Sequence, residues 1–217
     1  WTLVDDALAR LRDTMKPVTE AVDVPLAAAL GRYVAAKVSA RRSHPPGANS
    51  AVDGWGMAGR DLGDAPYSIP VAKGRAAAGA PYVGRLPDGH AIRILTGALL
   101  PKGVDTVVLD EDVSVEDGRV QFAGPLKPGA NARAAGEDMR AGDVIARKRT
   151  RIGPTETAFL TAAGVEEVTA RRPLRVAVLS TGDELAEPDG DPADPEKTYD
   201  ANRPMLLSML RAWGINA

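Results

Sequence analysis

The spacing of apolar residues changes along the chain, and each change predicts a different kind of structure. Leu3, Ala7, Leu8, Leu11 and Met15 recur at helical spacing, which predicts an amphipathic helix over roughly residues 3–15 that stops near Pro17. A second short helix is predicted from Pro25 to Val34, with Leu26, Ala29, Leu30 and Tyr33 on one face and Gly31 weakening it. Residues 43–50, Ser-His-Pro-Pro-Gly-Ala-Asn-Ser, fit neither helix nor central strand and read as a linker or functional loop. From 51 to 130 the pattern becomes short β-type runs punctuated by Gly and Pro. Ile92–Leu95 and Thr106–Leu109 are two such runs, and Val113–Val115 and Val120–Phe122 flank Glu116-Asp117-Gly118-Arg119, where Asp-Gly signals a type I′ hairpin. That density of strands and turns predicts a small all-β sandwich or barrel-like domain.

Beyond 130 the period shifts again. Thr155–Ala163 is a predicted helix between Pro154 and a Gly164 stop. Leu174–Leu179, an unbroken apolar run apart from Arg175, predicts a buried parallel-type strand that leads into Ser180-Thr181-Gly182-Asp183-Glu184. An acidic, Pro-containing loop fills 186–198. Asp200 or Asn202 then caps a helix whose face carries Met205, Leu206, Met209, Leu210 and Trp213. Ile215-Asn216-Ala217 reads as the start of a second strand, so a β–loop–α unit is expected here without the parallel partners that would bury it.

Composition narrows the chemistry. The chain has 217 residues, 44% of them hydrophobic, and a net charge of −2 from 27 basic and 29 acidic side chains. That is enough chain for one large or two small domains with a real core. The near-neutral balance argues against nucleic acid or an anionic membrane as the main partner. No apolar run approaches the roughly 18 residues of a membrane-spanning helix. Cysteine is absent and His44 and His90 are the only histidines, which excludes disulfides, thiolate metal sites and a Cys nucleophile. Any metal is expected to be a hard, oxygen-ligated cation such as magnesium. The chain opens at Trp1 with neither an initiator Met nor a signal-peptide pattern, so it is expected to be a trimmed product.

Several segments carry candidate chemistry, each with an ordinary reading beside it. The Ser180-Thr181-Gly182-Asp183-Glu184 motif follows a strand, where hydroxyls and Gly let backbone N–H groups approach phosphate and carboxylates can bridge a metal to it. The same residues also make a plain strand-to-loop turn. Asn49-Ser50-Ala51-Val52-Asp53-Gly54 presents an amide, a hydroxyl and a carboxylate, yet Asn and Asp before Gly are also common turn chemistry. Thr96-Gly97 could bind an oxyanion or simply cap a strand end. The basic run 147–151 reads as a solvated hairpin, and the acidic loop carrying Glu187, Asp189, Asp191, Asp194 and Glu196 lacks EF-hand spacing. No Walker A or G-x-G-x-x-G motif is present, and two isolated histidines support no Ser-His-Asp arrangement.

Taken in order, four blocks resemble the molybdopterin molybdotransferase (MoeA) family, whose eukaryotic relatives include the E domain of gephyrin. They are residues 45–56 (Pro-Pro-Gly-Ala-Asn-Ser-Ala-Val-Asp-Gly-Trp-Gly), 92–108 (with Thr96-Gly97-Ala98), 131–138 (ending Gly136-Glu137-Asp138) and 172–185 (with Ser180-Thr181-Gly182-Asp183-Glu184-Leu185). The resemblance implies an α+β multidomain architecture. A small helical/β domain (1–44 and 131–172) would hold an inserted β-rich, barrel- or sandwich-like domain (45–130). The first β–α unit of a truncated α/β molybdopterin-binding domain would follow at 173–217, with the N-terminal helix free to pack on it. It further implies a cytoplasmic transferase of molybdenum cofactor biosynthesis that inserts molybdate into adenylylated molybdopterin with Mg²⁺ and releases AMP. A homodimer with its cleft between the β-rich domain of one subunit and the α/β domain of the other is implied as well.

By motif match, the implied catalytic positions are Asp53, Thr96, Asp138, Glu184 and Asp200. Glu184 and Asp200 would be the metal ligands, and Asn49, Ser50, Ser180, Thr181, Gly182 and Asp183 would bind the pterin substrate. In the first block Gly47-Ala48, Val52 and Trp55 replace the family's usual Phe-Asp, Met and Tyr, so different packing around Asp53 is expected. The resemblance also implies further α/β segments and a C-terminal domain that this chain does not contain, so the chain alone is expected to be inactive. A non-catalytic dimerisation or scaffold module of the same family is the alternative.

Overall fold

The computed structural model describes residues 2–62, 65–186 and 196–217. In chain order the elements are α1 (Val4–Thr14), β1 (Ala21–Pro25), β2 (Val38–Ser39), β3 (Asn49–Ser50), β4 (Gly54–Met57) and β5 (Tyr67–Ala76). They continue with β6 (Ala91–Ile94), β7 (Thr106–Leu109), β8 (Ser114–Glu116), β9 (Arg119–Phe122), β10 (Ala132–Arg133) and β11 (Val144–Ala146). Last come α2 (Pro154–Ala162), β12 (Glu167–Arg171), β13 (Leu185–Ala186), β14 (Thr198–Tyr199) and α3 (Asn202–Ala212). The architecture is α+β, strand-rich with few helices, as expected.

The chain divides into two compact units. One holds residues 1–38, 146–161 and 166–217, and the other 39–145 and 162–165. The second unit is built on a six-stranded sheet of order β7-β4-β6-β5-β9-β8, antiparallel except where β5 runs parallel to β6. A register shift between Val71 and Arg75 of β5 marks an irregularity that bends the sheet. Alternation along the strands sends Trp55, Met57, Ile69, Ala91, Val108, Val120 and Phe122 to one cluster. Ile92, Ile94 and Val107 belong to clusters on the other face, with Ala72, Leu86, Val104, Ala76 and Ala98. With so few aromatic residues the core is aliphatic, and Tyr67 against Phe122 is its one close ring pair among the described residues. The Asp-Gly signal is borne out: Asp117 (φ 48°) and Gly118 (φ 71°) are both left-handed, as a type I′ turn requires, and join β8 to β9. Gly54 is needed for a different reason, because a Cβ there would lie 1.9 Å from the Val108 carbonyl oxygen of the neighbouring strand.

In the first unit, β1 and β12 pair antiparallel with Val24 opposite Val168, and Leu26, Ala29, Val34, Ile152, Leu160 and Ala170 are buried. Two expectations fail here. The helix predicted from Pro25 to Val34 is a single 3₁₀ turn, Leu26–Ala28, entered from the last residue of β1 and followed by a turn and two bridge residues, Tyr33 and Val34. Gly31, at φ 78°, turns the chain after one turn, and the Gly31 and Val34 amides donate to the Ile152 and Thr150 carbonyls instead of to helical partners. The strand predicted over 174–179 is not a ladder: Arg175 bridges Asn216 once, Val176 N–H donates to the Asn216 carbonyl, and Leu179 is 87% exposed. An apolar run becomes a buried parallel strand only when neighbours satisfy both its edges, and the described residues supply one bridge. The expected second strand at 215–217 is reduced to that same bridge. The loop expected at 186–198 lies mostly outside the described residues, including Glu187, Asp189, Asp191 and Asp194. Its ends pair in parallel as β13 and β14. The basic run is an exposed turn, with Arg149 at φ 77°, but not the expected hairpin: β11 before it pairs with β2, and Arg151 after it bridges Tyr33.

Candidate functional site

The expected site residues fall into two sets, one in each unit. In the second unit, antiparallel pairing of β4 with β6 sets Gly54 opposite Ile94, so Asp53 and Thr96 emerge at the same end of the sheet. There the Thr96 amide and hydroxyl both donate to Asp53 Oδ1, at 2.7 and 2.6 Å. The hydroxyl bond, then the amide bond, hold the Asp53 carboxyl below its ordinary range. The positive charge of Arg93 adds to this, and desolvation opposes it. Asp53 is thus an anion in an exposed corner, with a fixed main-chain frame behind it.

Ser50 is buried, and its hydroxyl donates to the Val52 carbonyl at 2.6 Å and accepts from the Val52 amide at 3.3 Å. It shapes the turn that delivers Asp53. Its main chain also binds the segment after Thr96, through Ser50 N–H to Ala98 O and Gly97 N–H to Ser50 O. Asn49 lies between Leu99 and Arg133 of β10, and its Oδ1 is buried without a hydrogen-bond partner. An orphaned buried acceptor of this kind costs about 1–3 kcal/mol until a donor reaches it.

One strand over, Asp138 is tied up in charge. Arg133 Nη2 donates to its Oδ1 at 2.5 Å, while Arg133 Nε donates to Glu137 at 3.0 Å. His44 Nε2 is 3.7 Å from Asp138 Oδ2. Pairing with Glu137 and then Asp138 raises the already high pKa of Arg133. Asp138 is therefore an ion-paired acid whose partner, Arg133, lies opposite Asn49, and the pairing of β10 with β3 puts this group on a segment adjoining that of Asn49, Ser50 and Asp53.

In the first unit, Asp200 sits one residue beyond β14 and caps α3: its Oδ1 accepts from the Asn202 and Arg203 amides, both at 3.1 Å. The Ser180 hydroxyl bonds to it as well, and that bond is the largest of the causes that lower its pKa, followed by the Arg203 amide. An open groove is lined by Val178, Leu179, Ser180, Gly182, Leu185, Ala186, Asp200 and Arg203. Of the Ser-Thr-Gly-Asp-Glu motif, Ser180 and Gly182 face this groove. Asp183 contributes a carbonyl that accepts from Lys197 at 2.7 Å, and Thr181 is exposed. The Glu184 carboxylate lies against Gly182, whose missing side chain makes the room: a Cβ there would stand 2.7 Å from it. Among the described residues, no three His, Asp or Glu side chains are grouped to hold a metal ion.

Two residues at the Asp53 corner, Arg93 and Asp110, were not anticipated, and Trp55 was expected only to alter the packing there. Arg93 donates to the Gly54 carbonyl and to Asp110, the Trp55 indole N–H donates to Asp110, and the Asp110 amide donates to the Asp53 carbonyl. The available signal was Arg93 itself, a charge between Ile92 and Ile94 in an otherwise apolar strand.

Comparison with known proteins identifies the family. Residues 2–164 match the family described as "MoeA N-terminal region (domain I and II)". The chain is 35% identical over 201 residues to a molybdopterin molybdenumtransferase of Haemophilus influenzae, covering 92% of this chain and 49% of that protein. It is also 35% identical over 200 residues to the protein of the same name from Nostoc sp., covering 90% and 45%. The chain spans about half the length of the curated relatives it matches. Among solved structures, a molybdopterin biosynthesis moeA protein from Pyrococcus horikoshii superposes with a TM-score of 0.86 at 30% identity, over 98% of this chain and 57% of that one.

Proposed function

The chain belongs to the MoeA family, and from that premise we propose that the polypeptide containing it serves molybdenum cofactor biosynthesis by inserting molybdate into adenylylated molybdopterin with release of AMP. The observation that carries the reading is the pair of ionised aspartates, Asp53 and Asp200, each held by main-chain N–H and hydroxyl donors on an exposed surface. An enzyme that cleaves a phosphoanhydride needs anionic oxygens fixed in place beforehand, because positioning and charge supply most of the rate.

The division of labour follows from the donor sets. In the groove, Ser180, the Gly182 backbone and Arg203 suit a phosphoryl group, since a hydroxyl, a close-approach main chain and a guanidinium all recognise its oxygens. Asp53 and Thr96 present an anion and a hydroxyl to the reacting end.

The residues fit magnesium. The candidate donors are all hard oxygens, and Mg²⁺ takes one or two carboxylates and completes its shell with substrate phosphates and water, so no three-ligand cluster is required. Glu184 and Asp200 would hold it, and when bound it would neutralise charge on the pyrophosphate. The expected domain division, with an inserted β-rich domain of 45–130, is proposed with the function. So are cytoplasmic location and a homodimer whose cleft is completed by the partner subunit. Among the described residues no helix is long and apolar enough to cross a membrane.

The test is AMP release from adenylylated molybdopterin by the full-length parent with Mg²⁺ and molybdate. Turnover is expected, with none from the 217-residue chain alone and a loss of about 100-fold or more for Asp53→Ala in the parent. Failure of the parent to release AMP overturns the reading, and an Asp53→Ala parent with undiminished turnover would leave a scaffold.

A further inference from the structure

We propose that Arg93 is the positioning residue of the Asp53–Thr96 corner, with Trp55 and Asp110 as the clamp that fixes it. The inference deepens the proposed function and rests on it for its catalytic consequence, but the positioning itself rests on geometry. Arg93 Nη1 donates to the Gly54 carbonyl at 2.9 Å, and Nη2 donates to Asp110 Oδ2 at 2.9 Å. Its Cζ lies 5.7 Å from the Trp55 ring centroid, within range of a cation–π contact. The Trp55 indole N–H donates to the other Asp110 oxygen at 3.2 Å, so Asp110 ties the guanidinium and the indole together.

The fork reaches the reactive corner through the main chain. Gly54 follows Asp53 directly, and the Asp110 amide donates to the Asp53 carbonyl at 3.2 Å, so the peptide units on both sides of Gly54 are held. With those units fixed, the Asp53 Cα–Cβ bond has one direction, and the carboxylate it carries is caught by the Thr96 amide and hydroxyl. The Arg93 side chain is 27% exposed and the Asp110 side chain 44%, so this is a partly desolvated pair whose worth lies in its geometry. An ammonium could supply the charge. It could not reach a carbonyl and a carboxylate at once in one plane while stacking on an indole. Trp55 stands where the family usually has Tyr, and its ring nitrogen is what engages Asp110.

The test compares Arg93→Met, Arg93→Lys and Trp55→Phe. In the 217-residue chain, carbon-13 NMR follows the Asp53 carboxyl titration and nitrogen-15 NMR follows the Thr96 amide. Arg93→Met is expected to raise the Asp53 midpoint and shift the Thr96 amide resonance, with β5, β8 and β9 amides unmoved. Arg93→Lys is expected to restore part of the midpoint, since it restores charge, while leaving the Thr96 amide displaced. In the full-length parent, both Arg93 variants should lower kcat for AMP release by about 10- to 100-fold with KM little changed. Full restoration of the Thr96 amide by Arg93→Lys reduces Arg93 to a source of charge and overturns the proposal. If Arg93→Met does not fold, Trp55→Phe decides: it removes the Asp110 tie and part of the ring beneath the guanidinium while keeping Arg93, and should shift the Thr96 amide in the same direction by less. An unmoved Thr96 amide there overturns the proposal too. A wild-type parent that releases no AMP defeats the functional reading alone, because the NMR arm is read without turnover.

Discussion

Asp53 and Asp200 are held by the same device on very different supports. Each carboxylate accepts from main-chain N–H and from a hydroxyl, Thr96 in one case and Ser180 in the other, and each has its pKa lowered for that reason. Behind Asp53 stands the end of a six-stranded sheet, with Gly54, Trp55, Ile94 and Val108 all buried. Behind Asp200 stand a two-residue parallel pair and a helix with no buried residue. The chemistry of holding a carboxylate is therefore local, a matter of a few residues, whereas the rigidity of the result depends on the surrounding ladder. A site residue can be set in place without being made rigid.

The largest break in that comparison comes from Gly54→Ala. The added methyl meets the Val108 carbonyl, so the second unit should lose at least about 3 kcal/mol, read by denaturant unfolding, while the α3 helical signal persists. Hydrogen exchange sharpens it next: β4, β6 and β7 amides should be protected far longer than those of 174–186 and 198–201, which carry few ladder bonds. Equal protection in both regions would erase the distinction. Asp200→Ala should fray the first turn of α3, seen as lost protection at Asn202 and Arg203 and nothing in the sheet. The smallest effect is a pH effect. Because the folded pKa of Asp53 is depressed, its stabilising share is complete above the ordinary carboxylate pKa of about 4 and fades as pH falls through the lower folded value. Thr96→Val should move that loss to higher pH, followed through the amide resonance of residue 96 in each protein.

Much of this was legible in the residues, and the gaps have physical causes. Thr106–Leu109, the Asp117-Gly118 hairpin and the helix after Pro154 were readable because local periodicity and turn chemistry decide them. The segment 25–34 was not, because its helical spacing is overridden by the left-handed Gly31 and by main-chain hydrogen bonds from Leu26, Gly31 and Val34 to Glu166, Ile152 and Thr150, which no local pattern reports. The run 174–179 carries the composition of a strand, but pairing needs partners that composition cannot report. At the site, Asp53 and Thr96 stood out as small polar groups beside Gly. Asp110 did not, because it reads as the first of three acidic residues after a strand, and only the β4–β7 register reveals which backbone it supports.

That register also sets an order of events in time. Asp53 meets Thr96 across 43 residues, and Gly54 lies opposite Leu109, with the Asp110 amide closing the frame. Contacts so far apart along the chain make for slow folding, since long loops must close before anything is gained. On the ribosome, Asp53 is translated before Thr96 and cannot acquire its frame until synthesis has passed Asp110. Between those two moments the Asn-Ser-Ala-Val-Asp segment exists without its partners, and the corner is completed only as the sheet closes.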